Sequence, residues 1–471
     1  MSSNRLKEMR ENFHLEIRKL SLESQFRLKR LIITPMQQKP IEKLNNIVEK
    51  ITRSQIFQNE EYQTMNQLLD EIEEIVINDT SSIIKWTEYI TIIKSLVDQM
   101  QKGYLNPEQT NIAIKAASCF RNLLKAQKPT IQMQEQINQA FEIYKSWIES
   151  DSCLLSQAGL KGMNQLAYFQ HPKLNQYDQV QSILMTLQIN PYNEQALKLL
   201  SIITKNVDDD NQVIAILRQA SRLIETCDSN LREKGLKIFE NASRNIQNIQ
   251  FILSMKAIDS ILDFVYFKEK NISKISMTIL VNLSYTSDVE DCQKLLDLGI
   301  TDVIYKLLKN SIFTYSRIFG SMIFNNLMAS SHLILDKVIQ NLRLLELVLD
   351  LLETDVVDVR RELFQAFRNF LVVCTQQQLL NMIDNGMIDY LILGLDDIDT
   401  NIIQLAIETL YLTMKNFVST DYQLDIYYKF SIKNVAKKLD KLQYSENEQI
   451  YQMVSRFIQE FYDQEFDDSD C

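Results

Sequence analysis

Six asparagines return along this chain at nearly one interval: Asn122, Asn164, Asn241, Asn282, Asn326 and Asn369, with Ser201 in the gap between the second and third. An asparagine amide carries an N–H donor and a C=O acceptor, so one side chain matches one peptide unit. A row of them can hold an extended backbone without reading its sequence. The same amides could instead bond neighbouring backbone groups and lock one repeat to the next, and periodicity leaves both roles open. Asn is mildly unfavourable inside a helix, so six recurrences ask for a reason. This is the chemistry of recognition. The sequence contains no G-x-G-x-x-G, Walker loop, H-E-x-x-H or G-x-S-x-G pattern. His14, His171 and His332 lie too far apart to hold one metal in a linear array of repeats. No enzyme activity, metal site or cofactor is expected.

The elements that must position the asparagines are helices. Gly (8 residues) and Pro (6) are scarce in a chain of 471, against ordinary usage of about 7% and 5%. Sheets and loop-rich folds need both at turns, so an all-α chain with short connections is expected. Taking Asn282 as a template, Leu199-Leu200-Ser201-Ile202 and Tyr411-Leu412-Thr413-Met414 fit the same pattern without Asn, and the intervals from 122 to 413 are 42, 37, 40, 41, 44, 43 and 44. That is the period of armadillo or HEAT-type repeats, about 40–47 residues. Within 292–329 the pattern reads as a short helix ending at Gly299, an apolar helix through Leu308, and a longer third helix holding Asn326. The layout recurs around Gly386. A glycine there lets the chain turn through a left-handed conformation, and three helices with this turn are the armadillo arrangement. The expected fold is a right-handed α-solenoid of about ten armadillo repeats over 42–463. A basic helical arm (1–33) and a linker (34–41) would precede it, and an acidic tail (464–471) would follow. Asp208-Asp209-Asp210 and Ser150-Asp151-Ser152 read as inter-helix loops.

Net charge is −11 but unevenly placed: residues 1–31 hold eight Lys/Arg against four Glu, which leaves −15 on the remainder. An acidic body argues against nucleic acid as a ligand. Six scattered Cys with no C-x-x-C suit a reducing compartment. No stretch of 18 apolar residues and no signal peptide is visible, so no membrane partner is expected.

The segment Glu16-Ile17-Arg18-Lys19-x-x-x-Glu23-x-Gln25-Phe26-x-x-Lys29-Arg30 resembles the importin-β-binding segment of importin-α. Arg5, Lys7, Arg10 and Phe13 resemble its first basic cluster, thinned and interrupted by Glu8 and Glu11. With the repeats that follow, the resemblance covers essentially the whole chain. It implies a nuclear import adaptor of cytoplasm and nucleus. Arg18, Lys19, Arg27, Lys29 and Arg30 would engage an importin-β-like receptor. The six Asn would hold, in a concave groove, a cargo carrying an extended basic signal or an extended signal of another kind. It also implies that the free arm can fold back into the groove.

The chain departs from that family where side chains are read. The Trp expected four residues before each Asn is replaced by Ser118, Leu160, Leu197, Lys237, Thr278, Met322 and Gln365, and Tyr168 replaces an expected acid. Losing each aromatic clamp removes about 0.5–2 kcal/mol. Trp86 and Trp147 lie outside the register and read as packing residues. The rival expectation is an armadillo scaffold for cytoskeletal or ciliary assembly, with the arm as a cap.

Overall fold

The computed structural model describes residues 63, 65–72, 96–101, 106–126, 133–169, 177–207, 209–226, 228–310 and 312–462. Arg18, Lys19, Arg27, Lys29, Arg30, Trp86, His14, His171 and the acidic tail lie outside them. The chain is all-α, an α-solenoid of helical repeats. Its contacts divide into two units, Met1–Gln170 and His171–Cys471, a division inside 42–463 that the sequence reading does not anticipate.

In the first unit α1 (Pro107–Ala126) carries Asn122, and α2 (Gln134–Ile148) packs closely on α3 (Cys153–Tyr168), which carries Asn164. Ser152 starts α3 by accepting the Leu155 N–H, so the 150–152 loop stands where the sequence puts it. The α2–α3 approach is close because Gly159 and Gly162 lie three residues apart on one face of α3, facing Tyr144, Trp147 and Ile148. Trp147 is fully buried, a packing residue as expected.

The second unit opens with two-helix repeats: α4 (Tyr177–Ile189) with α5 (Glu194–Ile203), then α6 (Asp210–Ile224) with α7 (Ser229–Ala242). A 3-10 turn over Thr204–Asn206 prolongs α5, and only 207–209 then separates it from α6. That gap has no room for a further helix, and Asp209 uses its carboxylate to cap α6. Here the expectation of three helices per unit is corrected. The three-helix layout holds from Ile249 onward, in five successive repeats. They are α8 (Ile249–Leu253), α9 (Ala257–Phe264) and α10 (Lys270–Ser284); α11 (Val289–Asp297), α12 (Ile300–Leu308) and α13 (Thr314–Met328); α14 (His332–Ile339), α15 (Leu342–Thr354) and α16 (Val357–Val373); α17 (Gln376–Asp384), α18 (Met387–Leu393) and α19 (Thr400–Phe417); and α20 (Gln423–Ile432), α21 (Val435–Leu442) and α22 (Glu448–Phe461).

Gly299 and Gly386 do turn the chain in the left-handed region, at φ 80° and 90°, and Asn434 takes the same conformation at φ 56° in the last repeat. Asn is the residue that best tolerates this after Gly. The last helices of the successive repeats, α5, α7, α10, α13, α16, α19 and α22, which take the place of the third helix in each repeat, pack side by side in chain order. Their inner faces supply the core: α16 alone buries Val359, Leu363, Phe364, Ala366, Phe367, Phe370 and Leu371. Each of these side chains other than Ala366 contributes about 1.5–3 kcal/mol on burial.

Candidate functional site: the third-helix face

The recurring asparagines lie on third helices, and in the second unit their amide N–H groups point to the preceding repeat. Asn241 Nδ2 donates to the Ser201 carbonyl (2.6 Å) and Oγ (3.0 Å). Asn282 Nδ2 donates to Ser243 Oγ (3.0 Å). Asn326 Nδ2 donates to the Val281 carbonyl (3.1 Å) and Ser284 Oγ (3.0 Å). Asn369 Nδ2 donates to Asn325 Oδ1 (2.8 Å). The donor half of each amide thus staples one repeat to the next. The acceptor half differs: Oδ1 of Asn282 and Asn326 accepts no hydrogen bond among the described residues, and both side chains are half-buried.

In the first unit Asn122 is half-buried on α1. Asn164 is only 7% exposed and donates to the Leu160 carbonyl of its own helix at 2.9 Å. Leu160 and Leu197, four residues before Asn164 and Ser201, are wholly buried. An aromatic clamp at either position would therefore sit in the core.

The serine partners have a signal in the sequence: Asn241-Ala242-Ser243 and Asn282-Leu283-Ser284 repeat one tripeptide pattern. Replacing Asn326 with Ala should cost about 1 kcal/mol for lost hydrogen bonds, read as a lower urea midpoint with an unchanged slope. No loss would remove the stapling role.

A second recurring residue escaped the sequence reading. An Arg stands nine residues before Asn241, Asn326 and Asn369, at Arg232, Arg317 and Arg360. Arg317 Nε and Nη2 grip the Asp355 carboxylate at 2.7 and 2.9 Å. Arg360 Nη1 and Nη2 hold Asp397 at 2.5 and 3.4 Å. Each aspartate lies just before the third helix of the next repeat. Arg232 bonds the Ile224 and Thr226 carbonyls and lies over the Phe264 and Phe267 rings of the next repeat, 5.0 and 5.1 Å from their centroids. Toward the C-terminal end of the face, Gln365 donates to Asn369, Asn369 to Asn325, and Asn325 to Glu362 Oε2 at 3.0 Å. Burial raises the Glu362 carboxyl above its usual range, opposed by the Asn325 hydrogen bond and Arg361.

The electrostatics of the earlier third helices are opposite to those of the whole chain. Segments 194–206, 229–244 and 270–284 carry eight Lys/Arg against three Glu. Lys234 pairs with Glu194 at 2.6 Å. Lys237 and Arg244 share Glu240 at 2.7 and 3.1 Å. Lys205 faces the same group, and its ammonium is held below the ordinary lysine range by burial first and by Arg244 second. Lys270 and Lys274 both lie over Tyr315 of the next third helix, 5.7 and 4.9 Å from the ring centroid.

No family model and no curated protein matches the chain. Solved structures do. The fold is similar to that of an engineered protein known from its crystal structure, 14% identical, with a TM-score of 0.63 over 88% of this chain and 98% of that one. A designed armadillo repeat protein in complex with the peptide (KR)4 is 19% identical, with a TM-score of 0.46 over 52% of this chain and 99% of that one. Computationally designed armadillo repeat proteins for modular peptide recognition give 19% identity and a TM-score of 0.45 over 52% and 98%. At these identities the likeness concerns the fold alone.

Proposed function

We propose that this protein is a binding adaptor rather than an enzyme, that it takes an extended peptide across its third helices, and that it serves nuclear import by linking that cargo to an importin-β-like receptor. The observation that carries the peptide-binding half is the row of asparagines. In the second unit the preceding repeat accepts from Asn241, Asn282, Asn326 and Asn369, which orients those amides, and Oδ1 of Asn282 and Asn326 is left to accept the N–H of a bound backbone. Preorganised acceptors on rigid helices lose little entropy on binding. The transport half rests on the segment from Glu16 to Arg30 and on its resemblance to a receptor-binding segment. Its place of action is then cytoplasm and nucleus.

The test is binding of the full-length protein to purified importin-β, beside a variant with Arg18 and Lys19 both changed to Ala. Submicromolar binding that the variant loses supports the adaptor. No binding even at low salt, where charge attraction is strongest, removes the transport role and leaves a solenoid scaffold.

A further inference from the structure

We propose that the third-helix face from Glu194 to Tyr315 binds an extended acidic peptide; this rests on the peptide-binding reading above and names the class of peptide. The charge bookkeeping leads there. Of the eight cations on the three segments, Arg232 is used on carbonyls and rings, Lys234 on Glu194, and Lys237 and Arg244 on the single Glu240. Lys198, Lys205, Lys270 and Lys274 make no ion pair with a carboxylate among the described residues. Lys198, Lys205 and Lys270 are exposed, and Lys274 is half-buried. The neighbouring α13 carries no acid, and its one cation, Arg317, is neutralised by Asp355. These three segments thus carry a local positive surplus within a chain of net charge −11.

Span and hydrogen bonding agree with charge. Packed helices lie about 8–10 Å apart, so the three steps from α5 to α13 cover about 24–30 Å. An extended peptide rises about 3.3 Å per residue, which makes the ligand about eight residues long. Its carboxylates would meet Lys198, Lys205 and Lys274, while Lys270 and Tyr315, about 16–18 Å along their helices from Asn282 and Asn326, lie at the edge of that face. The Oδ1 acceptors of Asn282 and Asn326 favour a peptide over a nucleic acid, because a phosphodiester backbone has no N–H to donate. The same surplus would repel a basic signal, and it would repel the N-terminal arm, which carries net +4 over residues 1–31.

The probe is a fluorescein-labelled peptide of about eight alternating Asp and Glu residues. Its anisotropy is read with the full-length protein at low and high salt, beside a Lys-Arg peptide and an oligothymidylate of the same length. The acidic peptide should bind, and binding should weaken as salt rises. The Lys205→Glu/Lys274→Glu variant should lose about tenfold or more in affinity. Should that variant lose its helical signal, Lys198→Gln/Lys274→Gln supplies the same reading with a smaller loss. Preference for the Lys-Arg peptide would overturn the acidic assignment and leave the peptide-binding adaptor standing. Tighter binding of the oligothymidylate, or an affinity the variants do not change, would overturn it as well. Failure of both peptides would also end it, and importin-β binding would then decide the adaptor reading independently.

Discussion

Replacing Arg360 with Ala should destabilise the second unit by about 3–5 kcal/mol, because it strands a buried carboxylate. Asp397 is 3% exposed at its side chain, and its charge is met by the Arg360 guanidinium. Its Oδ1 also accepts the Asp399 N–H at 2.9 Å, so the aspartate orders the chain entering α19. The adjacent Arg361 is the control. It pairs with Asp399 at 2.9 Å but is 38% exposed, and pairs in water contribute only about 0–1 kcal/mol. Two alanine substitutions one residue apart should therefore differ severalfold, and the difference lies in burial rather than in the number of contacts. In a repeat array the loss falls on one interface between neighbours. Hydrogen exchange of α19 and α22 should accelerate in Arg360→Ala before exchange of α7 and α10 does. Equal effects of the two substitutions, or uniform acceleration along the unit, would refute a clamp local to the α16–α19 junction.

This clamp marks the limit of what the sequence discloses. Period, helix class and third-helix positions follow from spacing and from the lack of Gly and Pro. The turns at Gly299 and Gly386 follow from the backbone freedom of glycine. The internal plan of the earlier repeats does not follow. It depends on a gap of three residues at 207–209 and on caps such as Asn193 and Asp209, and apolar periodicity alone reads straight through those features. Partner choice is the other loss. Asn282 meets Ser243 and Asn326 meets Ser284, 39 and 42 residues away. No local pattern says whether an amide faces a ligand or a neighbour. The positive surplus on segments 194–206, 229–244 and 270–284 is visible residue by residue, but the net charge of the whole chain conceals it.

The asparagines need not choose between the two roles first considered for them. A staple uses the N–H, a ligand needs the C=O, and one side chain carries both. Asn241 and Asn326 spend both amide N–H groups on the preceding repeat, whereas Asn282 spends one on Ser243 and keeps a second that could donate to a ligand carbonyl. Peptide affinity then comes from accepting backbone N–H groups, from that second donor and from side-chain charge. Of the positions four residues before Ser201, Asn241 and Asn282, one holds a lysine, Lys237, and the others hold Leu197 and Thr278. Lys237 is paired with Glu240.

In the first unit, Gly162→Ala should lose about 1–2 kcal/mol, against the sign that helix propensity gives. Alanine in place of a mid-helix glycine ordinarily gains about 1 kcal/mol. Here the added methyl would fall onto three ring carbons of Tyr144. That ring is buried and packed edge-on against Trp147 at 5.8 Å between centroids. Gly159 brings the helices equally close one turn away, where an added Cβ would lie 2.8 Å from the Tyr144 carbonyl. The ring has little room to retreat, and overpacking costs about 1–3 kcal/mol or more, so the steric cost exceeds the propensity gain. The second-site variants separate shape from polarity. The Tyr144 hydroxyl is buried without a hydrogen-bond partner among the described residues, and burial pushes its pKa upward. Tyr144→Phe removes that unsatisfied group but keeps the ring, so it should not rescue Gly162→Ala. Tyr144→Val opens the space and, although destabilising alone, should make Gly162→Ala neutral or favourable in the double variant. A coupling energy of about 1 kcal/mol or more from urea unfolding of the four proteins is expected. Additive losses would mean that α2 and α3 relax apart at little cost and that their close approach is not fixed by the pair of glycines.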